Sequence, residues 1–301
     1  MQDRRLGLTL GPVLYLWDEA RWRDFYFRMA DEAEIDTVVV GETICSKREH
    51  FHANVTTAVL DRLAAAGKTV RLASLALVTL ERERKSVRRL AEQDALELEI
   101  GELSALAALR GRPHAVGPLV NVYNAPTAQV LGAQGAISIC LPAELPMHSI
   151  AQICLAMPAM RFEVFGFGRV PLAISARCAH ARFKGLTKDN CQFVCGDDPD
   201  GLPVDTLDGQ PFLALNGVQT VSSTCHAVIG DLGSLRDAGV DAIRLSPQVC
   251  DMVAVSRIFR TVIDGSVDAG EAWSRLGEAY PEAQFANGFL HSRPGHHLVL
   301  Q

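Results

Sequence analysis

The stretch TVRLASLALVTLERERKSVRRL, Thr69 to Leu90, decides the fold. Residues 69–78 form an apolar run of strand length, rich in branched aliphatic side chains. Residues 79–93 carry a helical pattern, and ERERKSVRRL within it is charged enough for a helix whose outer face meets solvent. A strand running into a solvated helix is one βα unit. The alternation recurs on both sides, with strand-like runs near 6–11, 36–41, 69–78, 95–100, 117–123, 136–141, 162–168 and 241–246. Helical patterns lie at 18–32 (Trp22, Phe25, Tyr26, Met29) and 49–66 (Val55, Val59, Leu60, Leu63). Residues 249–264 repeat the pattern at Met252, Val255, Phe259 and Val262, with Gly265 placed to end the helix. Eight βα units in roughly 250 residues is the count of a TIM-type (β/α)8 barrel; an open doubly wound sheet leaves a similar trace, and the count favours the barrel. No linker, repeat or low-complexity tract divides the chain, so 1–301 reads as a single domain.

The composition is that of an ordinary folded protein: 301 residues, 48% hydrophobic and 21% charged, which excludes disorder. A net charge of −6 argues against a partner bound through phosphates, so nucleic acid is not expected. The apolar stretch near the start is broken by Gly7, Thr9, Gly11 and Pro12 and reads as a first strand, not a signal peptide. With no membrane-length apolar run either, a cytoplasmic chain is expected.

Eight cysteines stand out: Cys45, Cys140, Cys154, Cys178, Cys191, Cys195, Cys225 and Cys250. Cys140 and Cys154 sit in apolar runs, where a free thiol behaves as a small hydrophobe, while Cys225 and Cys250 have no decisive setting. Cys178, Cys191 and Cys195 fall in the polar loop SARCAHARFKGLTKDNCQFVCGDDPDG, residues 175–201. That loop opens an insertion over about 176–235, whose Asp-Gly, Asn-Gly and Gly-Leu-Pro turns read as short hairpins. On a barrel the insertion hangs from the end of strand seven on the C-terminal face, and Cys45, past strand two, opens onto the same face.

No H-E-x-x-H helix, phosphate loop or G-x-S-x-G elbow is present, and Gly166-Phe167-Gly168 lacks a third glycine, with Pro171 in its place. His180 and His226 have no partner at a meaningful spacing, and His296 and His297 read as solvated. What remains is thiolate chemistry. Four thiolates suit structural zinc or an iron–sulfur cluster. Only Cys191-x-x-x-Cys195 is a near-pair, and such dispersion favours a cluster over zinc without excluding zinc or a metal-free loop. Arg177, Arg182 and Lys184 beside the loop cysteines would offset a cluster's negative charge.

The stretch EVFGFGRVPLAISARCAHAR, Glu163 to Arg182, resembles the signature of the U32 peptidase family, in which a Glu, an apolar pair and a Gly precede a short strand leading to a cysteine. The likeness is closer to the branch serving oxygen-independent ubiquinone biosynthesis. It rests on Gly41-Glu42-Thr43-Ile44-Cys45-Ser46-Lys47-Arg48, Ser175-Ala176-Arg177-Cys178, the Cys191 and Cys195 pair, Leu245-Ser246-Pro247-Gln248 and Asn287-Gly288-Phe289. The resemblance implies a [4Fe-4S] cluster on Cys45, Cys178, Cys191 and Cys195, and a heterodimer with a UbiU-like paralogue. It also implies hydroxylation of a ubiquinone precursor without oxygen, with prephenate as hydroxyl donor. A cluster with four cysteine ligands leaves no iron open to substrate, so it is expected to carry electrons or hold the fold. Binding of substrate then falls to polar residues at strand ends: Glu42, Asn121, Asn124 and Arg169. Glu42 reads equally well as a partner fixing the Cys45 loop, and Arg169 as a salt bridge. Two further readings are a non-catalytic cluster-bearing scaffold or electron relay for the paralogue, and a peptidase. No nucleophile–base pair or metalloprotease motif carries the peptidase reading.

Overall fold

A computed structural model describes residues 5–300; residues 1–4 and 301 of the expected single domain lie outside it. In chain order the first elements are β1 (Gly7–Leu10), α1 (Glu19–Asp31), β2 (Thr37–Val40), α2 (Ala53–Ala65), β3 (Thr69–Ala73), α3 (Glu81–Glu92), β4 (Glu97–Ile100) and α4 (Ala105–Leu109). Next come β5 (His114–Val116), α5 (Ala125–Ala133), β6 (Ala136–Leu141), α6 (Met147–Ala156) and the long β7 (Arg161–Ile174). The insertion contributes α7 (Ala179–Phe183), β8 (Leu202–Asp205), β9 (Pro211–Asn216) and β10 (Gln219–Ala227). After it follow α8 (Leu232–Asp237), β11 (Ala242–Leu245), α9 (Met252–Ile263), α10 (Ala269–Ala279) and β12 (Phe285–Ala286).

β1 pairs in parallel with β2 on one side and β11 on the other, and β11 pairs with β7, while the intervening strands pair in sequence order. Eight parallel strands therefore close on themselves, with helices between them: a TIM-type barrel, not an open sheet. The β1–β11 register, Gly7↔Ala242 to Leu10↔Leu245, makes the closure. Outward positions such as Leu8, Leu10, Val38, Val40 and Ile243 bury against the helices in one apolar core, the main favourable contribution to folding.

Three strand boundaries differ from the sequence reading. Strand five is β5, not 117–123; Pro118 has no N–H to continue the ladder, and Pro118–Val120 form a 3-10 turn. β3 stops at Ala73, where Ala76 N turns to Thr43 O (2.8 Å). β7 does not stop at 168. It runs on to Ile174 and pairs antiparallel with β10, so the insertion's hairpins extend the barrel's own sheet. The insertion also ends sooner than 235, since α8 belongs to the crossover into β11.

Inside the barrel, where apolar layers are usual, four buried charges meet, and Glu97, more exposed, pairs with one of them, Arg71. Arg244 donates to Glu99 Oε1 (2.7 Å) and Glu163 Oε2 (3.0 Å), and Arg71 to Glu163 Oε1 (2.5 Å). These side chains are 3–5% exposed. Each came from a strand that read as apolar, and buried charge is tolerable only when paired in this way. Cys140 lies beside this network and Cys154 in the apolar core, both buried as expected.

His226 on β10 is 2% exposed, beside the Phe165 ring, and burial drives its pKa down to about 4. The unfolded chain takes up this proton near pH 6.5 and the fold near 4. Its contribution is therefore fully present above about 6.5 and is lost as pH falls toward 4, by about 1.4 kcal/mol per unit. Denaturant unfolding from pH 7 to 4.5 should show a shallower loss in His226→Phe than in wild type; parallel curves would refute the assignment. Among the described residues no helix is long and apolar enough to cross a membrane.

Candidate functional site

The C-terminal face carries the predicted residues. After β2 the chain turns at Gly41, and the Glu42 carboxylate folds the next turn around itself: Oε1 accepts from Ile44 N (2.7 Å) and Cys45 N (2.9 Å). Ser46 Oγ donates to Glu83 Oε1 of α3 (2.6 Å), so Cys45 is held from both sides. Cys178 caps α7, its Sγ accepting from Ala181 N (3.4 Å). Between Cys191 and Cys195 the chain passes through two left-handed residues, Gln192 and Phe193 (φ 48° and 55°), an unusual pair outside glycine. The Phe193 ring packs edge-on against Phe51, 4.8 Å between centroids, and so fixes that turn.

Three of the four cysteines stand near a buried cation. Arg48 is 1% exposed. Its Nη1 donates to Leu14 O (2.9 Å) and its Nη2 to Asn216 Oδ1 (3.0 Å), and its Nε is left without a partner. Gly217 lets the β9–β10 turn pass directly over it: at φ +63° a Cβ there would collide with Arg48 Nη2. Cys195, Cys45 and Cys178 are close enough for their charges to act on the guanidinium. Cys178 in turn interacts with Cys191 and Cys195, and Lys47 Nζ stands 3.5 Å from Cys191 Sγ. Burial pushes the Cys45 and Cys178 thiols up, so without a metal they are neutral.

Among the described residues no carboxylate oxygen comes within 4.0 Å of Arg48, and the Glu42 carboxylate acts on it from farther off, whereas a buried cation ordinarily has a counter-charge in contact. The donor set supplies one if the thiols ionise onto a metal. No three His, Cys, Asp or Glu side chains of the described residues gather around one point as a single ion requires. A cluster with one cysteine per iron also needs four converging sulfurs. The donor set, four cysteines beside Arg48 and Lys47, has the chemistry of a thiolate-bound anionic group.

The other predicted residues are engaged elsewhere. Arg169 donates to Ser222 O (3.0 Å), Ser223 O (2.7 Å) and Asp200 (3.3 Å), and Tyr280 OH shares Asp200 (2.6 Å). Asn124 caps α5, accepting from Thr127 N (2.9 Å), and Asn121 sits exposed at φ 62°. Neither they nor Arg169 line the barrel mouth, whose walls include Thr43, Ser74, Phe165 and Ser246 and which encloses about 30 Å³, room for a water. A larger groove of about 450 Å³ runs between α2 and α3, with Glu42 in its wall. Cys225 and Cys250 lie together near Asp200, apart from the other four. His180 is buried between Leu215 O (3.2 Å) and Asp198 (3.0 Å), while His296 and His297 are exposed. Arg48 escaped sequence reasoning because Ser46-Lys47-Arg48-Glu49 looks like any charged turn.

The family model for peptidase family U32 matches residues 25–299. Among solved structures, the octameric ribulose-1,5-bisphosphate carboxylase/oxygenase of Pyrococcus horikoshii OT3 shows 11% identity and a TM-score of 0.43 over 93% of this chain and 65% of that one. The chain thus spans less than two thirds of that protein's length.

Proposed function

Because this chain belongs to peptidase family U32, with residues 25–299 matched, we propose that it is a UbiV-like [4Fe-4S] subunit of an oxygen-independent hydroxylase. In this reading it acts in the cytoplasm with a UbiU-like paralogue on ubiquinone precursors, with prephenate as hydroxyl donor. The observation that carries it is the buried Arg48 cation, which has Cys45, Cys178 and Cys195 acting on it and, among the described residues, no carboxylate oxygen within 4.0 Å, Glu42 acting from farther off.

Those four cysteines would hold the cluster, which when bound supplies one-electron redox chemistry. Arg48 balances the charge of the ionised thiols. Glu42 fixes the Cys45 loop through two backbone N–H groups, and Lys47 places its ammonium on the Cys191 sulfur. The α2–α3 groove, with Glu42 in its wall, has volume enough for an aromatic ring. The near-closed barrel mouth favours a second reading, in which this subunit relays electrons and the paralogue holds the substrate.

Anaerobically purified protein should hold about four irons and four acid-labile sulfides per chain. Cys178→Ala should retain less than about a tenth of both, while the core variant Cys154→Ala keeps them. Colourless wild-type protein carrying stoichiometric zinc would sink the reading.

A further inference from the structure

Beside the cysteine loop the surface charge reverses. A cleft of about 650 Å³ is lined by Lys47, Arg82, Arg177, Arg182 and Lys188 against one carboxylate, Asp189, on a chain whose net charge is −6. Cys178 forms part of the wall. Lys47 Nζ, bound to Lys188 O (2.8 Å), links the cleft to Cys191 Sγ. Among the described residues the side chains of Arg82, Arg177, Arg182 and Lys188 make no ion pair. Arg82, Arg177 and Arg182 are exposed, and so is Phe183 on the same short helix as Arg182, at 62%.

We propose that this cleft docks a small acidic electron-carrier protein, of flavodoxin or ferredoxin type, against the Cys178 side of the cysteine loop. The inference rests on the cluster reading above. One electron leaves the reduced carrier and enters the cluster; no bond forms or breaks, and the oxidised carrier dissociates.

Two features select this occupant. Arg82 on α3, Arg182 on α7 and Arg177 on the loop before it are exposed and, among the described residues, make no ion pair, which suits steering of a large anionic surface more than enclosure of a small anion. A permanent subunit contact would be wider and apolar, whereas transient redox encounters are small and charged. A second groove lined by Arg84, Arg88, Arg110 and Arg112 extends the positive charge along α3, so RNA binding is one of the outcomes that the test separates.

The test titrates flavodoxin into the full chain calorimetrically, in metal-free and cluster-loaded forms, for wild type and Arg177→Glu/Arg182→Glu. Both residues are exposed, so an unchanged unfolding midpoint serves as the folding control. Wild type should bind in both forms and weaken roughly tenfold between about 50 and 200 mM salt. Charge reversal should weaken binding at least about tenfold and slow stopped-flow reduction of the cluster in proportion. Undiminished binding or reduction in the variant overturns the proposal. So does a wild type that ignores flavodoxin while the same substitutions abolish co-purification with the paralogue, binding of polyuridine RNA or binding of malonate. A chain that holds no iron yet binds flavodoxin through these arginines refutes the cluster reading and upholds the docking surface.

Discussion

Replacing Arg244 with methionine is expected to cost about 3–5 kcal/mol, enough to unfold much of the population at 37 °C. Arg244 is 3% exposed and donates to both Glu99 oxygens and to Glu163. Methionine fills similar volume but removes the cation bonded to Glu99, and leaves Arg71, which already pairs Glu97, as the cation bonded to Glu163. A buried unpaired carboxylate escapes by binding a proton, so the loss should shrink as pH falls toward 5. Wild-type Glu163 behaves oppositely. The two arginines hold its pKa below the ordinary carboxylate range despite burial, so its stabilisation is present above that range and is lost as pH falls through it. Adding Glu99→Gln to Arg244→Met should recover part of the loss. The check is a double-mutant cycle by denaturant unfolding; a single-variant loss under about 1 kcal/mol would show that the network contributes little.

On the cluster reading, Arg48→Met is expected to act on a different quantity, the midpoint potential. A unit charge a few ångströms from the sulfurs, at an effective dielectric near 20, is worth about 2–4 kcal/mol. For a one-electron couple this corresponds to a midpoint potential lower by on the order of 100 mV. Redox titration followed by electron paramagnetic resonance measures it directly. Arg48→Lys keeps the charge but loses the fork that reaches Leu14 O and Asn216 Oδ1, so it should hold the potential while lowering stability. Equal potentials in wild type and Arg48→Met would mean that the guanidinium only braces the insertion. In metal-free protein Arg48→Met should be milder than Arg244→Met, because no carboxylate loses a hydrogen-bonded cation, although Glu42 loses a charge that acts on it from farther off.

The barrel was legible because each strand announces itself locally; β6 occupies its expected residues, Ala136–Leu141, without change. The one strand misplaced by more than its ends, β5, was lost to the apolar Pro118-Leu119-Val120, which looks extended until the missing proline N–H is considered. Cysteine settings were legible from polarity: Cys140 and Cys154 lie in apolar runs and are buried in the interior. Interactions spanning the chain were not. Arg48 is buried by Asn216, 168 positions away, and Arg244 by Glu99, 145 away. A lone charge inside AIRL or TVRLA signals a polar interior, but its partner is fixed only by closure. Arg169 and Asn124 looked like free polar groups at strand ends, and a sequence does not show that Ser222, Ser223 and Thr127 already occupy their hydrogen-bonding groups.

β7 has a consequence for the order of assembly. Its first half is a barrel stave between β6 and β11, and its second half carries β10. The segment from Ser175 to Asp198 leaves from one end of that strand and is anchored by the return of β10 along it. Three cysteines therefore hang from a hairpin that registers only once distant parts of the chain have met, a slow, high-contact-order step. During synthesis Cys45 emerges long before its partners. On the cluster reading, loading waits until Cys45 and the three loop cysteines have been brought to one face.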